Sequence, residues 1–242
     1  MNAPTATTVN EDIFDWDKVS LSDYSRTLLS TREWFETANQ IAAALAILKP
    51  HLLDEWETIR EWSRRNGVFP EHSLCGIYMM LAGFVIENLC KGHAVDELTS
   101  HEWLTRSKLE QQVAEGELKK DAIVQHCWKL TSHEREKVKK SGTLPKRIKD
   151  HDLPRFVTNT GLSPIDIAEE ELLERLKRAV VWFGRYPVPT RYQNRDRTRL
   201  KDGKIYSTSW RGGADPPRIN ALIKRLREHL GAPESYRANT SG

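Results

Sequence analysis

Residues 74–98 read LCGIYMMLAGFVIENLCKGHAVDEL, and this stretch decides the fold class. Its first turns are apolar on nearly every side, a pattern typical of a helix at the centre of a bundle. The longest apolar run, from Ile77 to Ile86, is interrupted by Gly83 and has about half the length that a membrane span requires. We therefore expect a central bundle helix and no membrane helix.

Two amphipathic helices are predicted before this stretch. Ser30-Thr31-Arg32-Glu33 has the form of a capping box, in which a hydroxyl and a carboxylate satisfy each other's backbone amides. Apolar residues at spacings of three and four then predict a helix that Pro50 ends. A second helix is expected after Pro50, closed by Arg64-Arg65-Asn66-Gly67.

The segment from about residue 99 to 150 is far more polar than the central stretch. It contains a helical pattern from Leu109 to Trp128 and a lysine-rich run from Arg135 to Lys140, followed by a break at Gly142 and Pro145. We interpret this segment as an insertion that is packed on the bundle or partly mobile.

Three further helices are predicted towards the C-terminus. The first spans Leu153 to Thr160, and the second begins near Ser163-Pro164. The last has Asp215 as its cap and ends at Gly231. Apolar residues line the second and third helices: Leu172, Leu173, Leu176, Val180, Phe183, Ile219, Leu222, Ile223, Leu226 and Leu230. We expect these faces to exceed what one chain can bury, so that two copies pair.

The predicted fold is all-α, an up-and-down helical bundle with a polar helical insertion. Residues 1–22 are expected to be a flexible arm, 23–231 a single domain and 232–242 a flexible tail. Within the domain, 99–150 form the insertion and 185–215 a basic loop. No alternating run is long enough to predict a sheet.

Composition restricts the functional classes only weakly. The formal net charge of the 242-residue chain is +3, too small to indicate nucleic-acid binding by itself. The three cysteines, Cys75, Cys90 and Cys127, are widely spaced, and no apolar signal region follows the polar N-terminus. These features favour a reduced, cytoplasmic protein without membrane contact.

Standard catalytic and metal-binding motifs are not found in the sequence. Histidines and cysteines are scattered, and the adjacent pair His126-Cys127 would diverge on a helix. Arg211-Gly-Gly lacks the lysine and the preceding strand of a phosphate-binding loop. We expect no metal and no cofactor.

A basic cluster with aromatic residues is the strongest candidate binding site. Cations neutralise phosphates and tyrosines offer stacking surfaces, so the mixture suits single-stranded RNA. The alternative is a solvated loop that balances acids elsewhere. The RNA-binding candidates are Arg185, Tyr186, Arg191, Tyr192, Arg195, Arg197 and Arg199.

Glu87 is an acid inside the apolar stretch, with Lys91 one turn later. A carboxylate in this setting can be a catalytic or RNA-contacting group with a raised pKa. The other reading is a paired structural charge that fixes helix packing. The sequence favours the structural reading.

Three segments resemble the HEPN superfamily. Leu81-Ala-Gly-Phe-Val-Ile-Glu-Asn-Leu-Cys-Lys91 resembles its apolar helix with an embedded Ile-Glu-x-x-x-Lys. His151-Asp152-Leu153-Pro154-Arg155-Phe156, with Thr160-Gly-Leu162, resembles the His-Asp-Leu helix that follows. Trp182-Phe-Gly-Arg-Tyr-Pro-Val-Pro189 resembles the last-helix segment of an uncharacterised prokaryotic branch. The long interval between Lys91 and His151 departs from compact members.

The resemblance implies a helical bundle that pairs as a homodimer. In active members an arginine and a histidine, with about four to six residues between them, support metal-independent RNA cleavage, with the ribose 2′-hydroxyl as nucleophile. Arg185 lies where that pair is expected, but no histidine follows it. Arg65 and His72 give a literal match before the central helix, outside the family order.

The favoured function is therefore a HEPN-like dimeric module that binds RNA or a protein partner without standard catalysis. The resemblance implies a setting in stress or phage defence. One alternative is an endoribonuclease that uses Arg65 and His72, or Arg185 with a further base. Another is a structural accessory subunit whose basic loop binds an acidic protein.

Overall fold

A computed structural model describes residues 16–65, 74–117, 128–182, 197–199, 205–207 and 212–234. The helices are α1 (Trp16–Leu28), α2 (Thr31–Arg65), α3 (Cys75–Val95), α4 (Ser100–Ala114), α5 (Ser132–Ser141), α6 (Lys146–Lys149), α7 (Leu153–Asn159), α8 (Ile167–Trp182) and α9 (Asp215–Leu230). Two three-residue strands, β1 (Arg197–Arg199) and β2 (Ile205–Ser207), pair antiparallel. The fold class is all-α, as the sequence predicts.

Helix α3 is the centre of the fold and contacts α2, α7, α8 and α9. Its apolar surface is buried on several sides, which confirms the interpretation of the 74–98 stretch. Gly83 lets α8 approach closely, because a Cβ there would lie only 2.4 Å from Cγ2 of Val180. Gly92 does the same for α2, since its Cβ would lie 2.6 Å from the Phe35 ring.

Pro50 does not end a helix, and the prediction of two separate helices was wrong. Helix α2 continues from Thr31 to Arg65 with Pro50 inside it. A proline in a helix loses one hydrogen bond to the residue four positions earlier, here Ala46. Both Pro50 and Ala46 are solvent-exposed, so water can satisfy the freed carbonyl. The buried Leu45 and Leu52 continue one apolar face across the proline.

The two predicted flexible ends are partly ordered. Helix α1 begins at Trp16, inside the segment expected to be an arm. It packs on α5, where the Ser25 hydroxyl donates to the carbonyl of Val138 at 3.3 Å. At the other end Ala232 is buried, and Asn39 of α2 donates to the Pro233 carbonyl at 3.1 Å. Residues 1–15 and 235–242 lie outside the described residues.

The polar segment after α3 begins with α4, nine residues before the predicted helix start, and Trp128 is not helical. Capping boxes at Thr99 and Thr131 explain where α4 and α5 begin. The segment returns to the central helix at Trp128, whose indole donates to the Cys90 carbonyl at 3.2 Å. Leu130 also donates its backbone amide to the Ala94 carbonyl at 2.8 Å. Residues 128–150 are thus anchored on α3.

Two predicted helix starts differ in the structure. Helix α8 begins at Ile167, because the Asp166 carboxylate accepts from the backbone amide of Glu169 at 2.8 Å. Asp215 is not the N-cap residue of α9: Ala214 holds that position, and Asp215 is the first helical residue. It is completely buried and pairs with Arg175 of α8 at 2.6 Å. Burial against α8 therefore decides its role.

The predicted basic loop contains regular structure. Strands β1 and β2 pair with Arg197 opposite Ser207, Thr198 opposite Tyr206 and Arg199 opposite Ile205. Two arginines of the basic cluster therefore lie two positions apart in one strand. Residues 185–196, 200–204 and 208–211 of the loop lie outside the described part of the chain.

Candidate functional site

The fold brings together two of the three segments on which the family resemblance rests. Glu87 of α3 accepts a hydrogen bond from Lys91 Nζ at 2.5 Å through one carboxylate oxygen. Its other oxygen lies 2.9 Å from Nδ1 of His151, a residue 64 positions further along the chain. The predicted Glu87–Lys91 pair is thus extended to a three-residue cluster, which we call the Glu87 cluster.

The Glu87 cluster is held below the protein surface. Glu87 and Lys91 are 5% and 6% exposed, whereas the His151 side chain retains 31%. Lys91 Nζ also lies 5.8 Å from the ring centres of Trp34 and Phe156. Aromatic faces attract a cation. Helices α2, α3 and α7 therefore all contribute to the environment of one buried ammonium group.

An outer ring of paired charges surrounds the cluster. Asp152, next to His151, accepts from Lys177 Nζ of α8 at 2.8 Å. Arg155 donates to Asp150 at 2.8 Å. These side chains are between a quarter and a half exposed. The Asp152–Lys177 pair links the start of α7 to α8. The cations of the ring have acidic partners, so the ring does not form an open anion site.

Two titratable groups near the cluster stay uncharged at neutral pH. Burial, and then the nearby Lys129, lower the pKa of His93 to about 4. Burial raises the pKa of the Cys90 thiol, and the neighbouring Glu87 charge raises it further. A buried neutral thiol is a poor nucleophile.

The geometry orients the His151 ring for proton transfer. A carboxylate that accepts this hydrogen bond requires the His151 proton on Nδ1. In the tautomer protonated only there, Nε2 carries the lone pair. A carboxylate that fixes the imidazole tautomer in this way is a recurring feature of general bases. The arrangement can hold a histidine as a base or acid at a partly exposed position.

The other predicted site residues are placed less completely. Arg65 is the last residue of α2, and Arg197 and Arg199 belong to β1. The remaining candidates lie outside the described residues: His72, Arg185, Tyr186, Arg191, Tyr192 and Arg195. The structure therefore joins Glu87, Lys91 and His151, with Asp152 beside them, and leaves the Arg65–His72 and Arg185 proposals as predictions.

Sequence reasoning missed the partners that complete the site. Lys177 occurs in an ordinary helical pattern, and nothing in its spacing points to Asp152, 25 residues earlier. The contacts of Trp34 and Phe156 with Lys91 depend on how three helices meet. Only the embedded acid at Glu87 gave a local signal.

Within the described ranges, no group of three or more His, Cys, Asp or Glu side chains is placed to hold a metal ion. None of the helices that the structure describes is both long and apolar enough to span a bilayer. No protein-family model matches the chain, and comparisons with curated proteins and with solved structures find no match.

Proposed function

We propose that the chain is a HEPN-like helical module that forms a homodimer and binds single-stranded RNA through its basic segment at 185–215. The observation that carries the proposal is the Glu87–His151 contact. Two segments chosen for their family resemblance, 64 residues apart, meet at 2.9 Å around a buried carboxylate. A chance pair of short motifs has no reason to do so. The contact supports a helical architecture like that of HEPN proteins. The proposal that the chain binds RNA rests on the basic segment.

The basic segment supports RNA in preference to a protein partner. Between Arg185 and Lys201 the sequence has six cations and one acid, with tyrosines among them. Arg197 and Arg199 lie two positions apart in β1, which pairs with β2 in a short ribbon. Regularly spaced arginines beside aromatic residues suit a phosphate backbone carrying bases.

A test of this function uses a short fluorescein-labelled single-stranded RNA and fluorescence anisotropy. Replacing Arg195 and Arg197 together with alanine should weaken binding about equally for every RNA sequence, since phosphate contacts carry no base information. The matched control replaces Lys137 and Lys140, two exposed cations of α5. That control removes the same charge and should leave the affinity nearly unchanged. Equal effects of both double variants would contradict a defined RNA site.

The Glu87 cluster favours a second candidate, metal-independent RNA cleavage. His151 can supply the base that the sequence lacks beside Arg185. In such a step His151 Nε2 takes the proton of the ribose 2′-hydroxyl, which attacks the adjacent phosphorus and displaces the 5′-oxygen, and the leaving oxygen then takes up a proton. The products have 2′,3′-cyclic phosphate and 5′-hydroxyl ends.

The same RNA distinguishes the two candidates when it is incubated with the protein in EDTA. On the binding-only proposal the RNA remains intact. On the cleavage alternative it acquires 2′,3′-cyclic ends, and His151→Asn reduces the rate by roughly 10²- to 10⁴-fold, the contribution of general acid–base catalysis. If His72→Ala abolished cleavage instead, the catalytic pair would be Arg65 and His72, as the sequence predicts.

The structure changes the argument for the homodimer. The apolar faces of α8 and α9, expected to need a second copy, are already buried within one chain: Leu172, Leu173, Leu176, Ile219, Leu222 and Leu226 are each at 0% exposure. One stripe of exposed apolar side chains lies on the outer side of α2. There Ile47 and Leu53 are 70% and 43% exposed, and Ala43, Ala46 and Pro50 adjoin them. We place the dimer contact on this stripe.

Light scattering at micromolar concentration should report twice the chain mass of 27.9 kDa. Ile47→Arg should shift the protein to a monomer, because a buried unpaired charge destabilises an apolar contact. Ile165→Arg, at a residue 74% exposed in the loop before α8, is the matched control and should remain dimeric. A wild-type monomer would contradict both the dimer and the HEPN-like assignment.

A further inference from the structure

A groove of about 520 Å³ lies between the start of α4 and one face of α5, away from the Glu87 cluster. This volume falls within the range of about 300–1,000 Å³ typical of small-molecule sites. Leu98 and Leu130 contribute apolar surface to it, and Trp103 of α4 forms part of its wall. The groove is therefore large enough and apolar enough to hold a flat organic ring.

Trp103 is the unusual residue of the groove. It is 50% exposed although tryptophan is a large apolar side chain, and nothing in the described chain covers it. An indole that remains half-exposed beside a groove is a ready stacking surface. Base–aromatic stacking is the sequence-tolerant contribution to single-strand binding, because every base has a flat π face.

The polar groups of the groove suit the edge of a base better than a phosphate. Arg135 and Lys139 bring two positive charges, but Glu97 and Glu136 also line the groove and cancel them. Lys139 lies 2.7 Å from Glu136, and Arg135 donates to the Val95 carbonyl at the end of α3. The cations are thus already engaged. Donors and acceptors of both kinds remain along the walls, as the edge of a nucleobase requires.

The serines add neutral hydrogen-bonding groups. Ser100 and Ser132 are the first residues of α4 and α5, and both line the groove. A hydroxyl can donate or accept, so it can adapt to different bases. Two leucines, an exposed indole and neutral or self-compensated polar groups together match an unpaired base.

We propose that this groove binds one unpaired base of single-stranded RNA, which stacks on Trp103. The proposal rests on the proposed RNA-binding function and divides it into two parts. The basic segment binds the phosphate backbone, and the groove binds a base. Because the charges of the groove cancel, its contribution should be nearly independent of salt, whereas that of the basic segment should not.

The test compares Trp103→Leu with Trp103→Phe on the full chain, using the labelled RNA and an abasic strand of the same length. Trp103→Leu should weaken RNA binding by at least about five-fold, the lower end of the stacking effect. Trp103→Phe should retain most of the affinity. Neither variant should change the salt dependence or the binding of the abasic strand. Leu104→Ala, at the neighbouring residue 54% exposed and outside the groove, is the control. Because Trp103 is half-exposed, thermal melting should show folded protein in every case.

The outcomes separate the two proposals. Wild-type affinity in Trp103→Leu would overturn the groove proposal and leave RNA binding in place. An equal loss on the abasic strand would also overturn it, because Trp103 would then act on the backbone or on the fold. Absence of RNA binding by the wild-type chain would overturn the proposed function, and the groove proposal with it.

Discussion

Glu87→Ala should lower the free energy of unfolding by about 3–5 kcal/mol, the usual effect of removing one partner from a buried ion pair. The substitution leaves the Lys91 ammonium at 6% exposure without the carboxylate 2.5 Å away. It also removes the hydrogen-bond acceptor of His151. For a chain of this size the melting temperature should fall by about 10 °C, which calorimetry or circular dichroism measures directly.

Two comparison variants make this prediction specific. Glu57→Ala removes an exposed partner of Arg60 and should change stability by less than about 0.5 kcal/mol. Replacing both Glu87 and Lys91 with methionine should cost less than Glu87→Ala alone, because no buried charge is then left unpaired. Full stability in Glu87→Ala together with loss of RNA binding or cleavage would instead assign Glu87 a functional role.

Asp215→Ala should be destabilising to a similar extent, again about 3–5 kcal/mol. Asp215 accepts from Arg175 Nη2 at 2.6 Å, and both side chains are 1% exposed. Two further nitrogens of Arg175, Nε and Nη1, are buried without a hydrogen-bond partner. Glu171 lies 3.9 Å from Nη1 of Arg175, so removing the closer Asp215 carboxylate would leave a buried cation between α8 and α9 with this more distant acid.

Asp215→Asn separates this role from the capping role that the sequence predicts. Asparagine caps a helix about as well as aspartate, so a cap would survive the change, and even Asp215→Ala would cost only about 1 kcal/mol. If Asp215 is an ion-pair partner, Asp215→Asn should show most of the loss of Asp215→Ala. Glu228→Ala, which removes the exposed partner of Lys224, is the control and should leave the melting curve unchanged. A small effect of both Asp215 variants would contradict the ion-pair role.

Local patterns predicted the elements whose evidence lies within one or two helical turns. The central helix followed from a stretch that is apolar on nearly every side, and the Glu87–Lys91 pair followed from a spacing of four. The end of α9 at Gly231 followed from glycine's tolerance of the left-handed backbone that the structure shows there. In each case the signal and the structure occupy the same short segment.

Predictions failed where tertiary packing outweighed local preference. Pro50 is a strong helix breaker, yet burial of Leu45 and Leu52 against α3 keeps α2 continuous. Asp215 is a good capping residue, yet its carboxylate accepts a hydrogen bond from Arg175, 40 positions earlier. The Glu87–His151 contact spans 64 positions and the Trp103 groove needs two helices side by side. Neither leaves a periodic signal in the sequence.

The most direct test of the central claim is the salt dependence of RNA binding by the full chain between about 50 and 200 mM salt. If the basic segment contacts phosphates, the logarithm of the binding constant should fall linearly with the logarithm of salt concentration, by about 0.7 per neutralised phosphate. The Arg195→Ala/Arg197→Ala variant should have a slope shallower by about 1.4, from two such contacts. Binding that ignores salt, or no binding at the lowest salt, would contradict an RNA-binding module and leave the protein-partner hypothesis in its place.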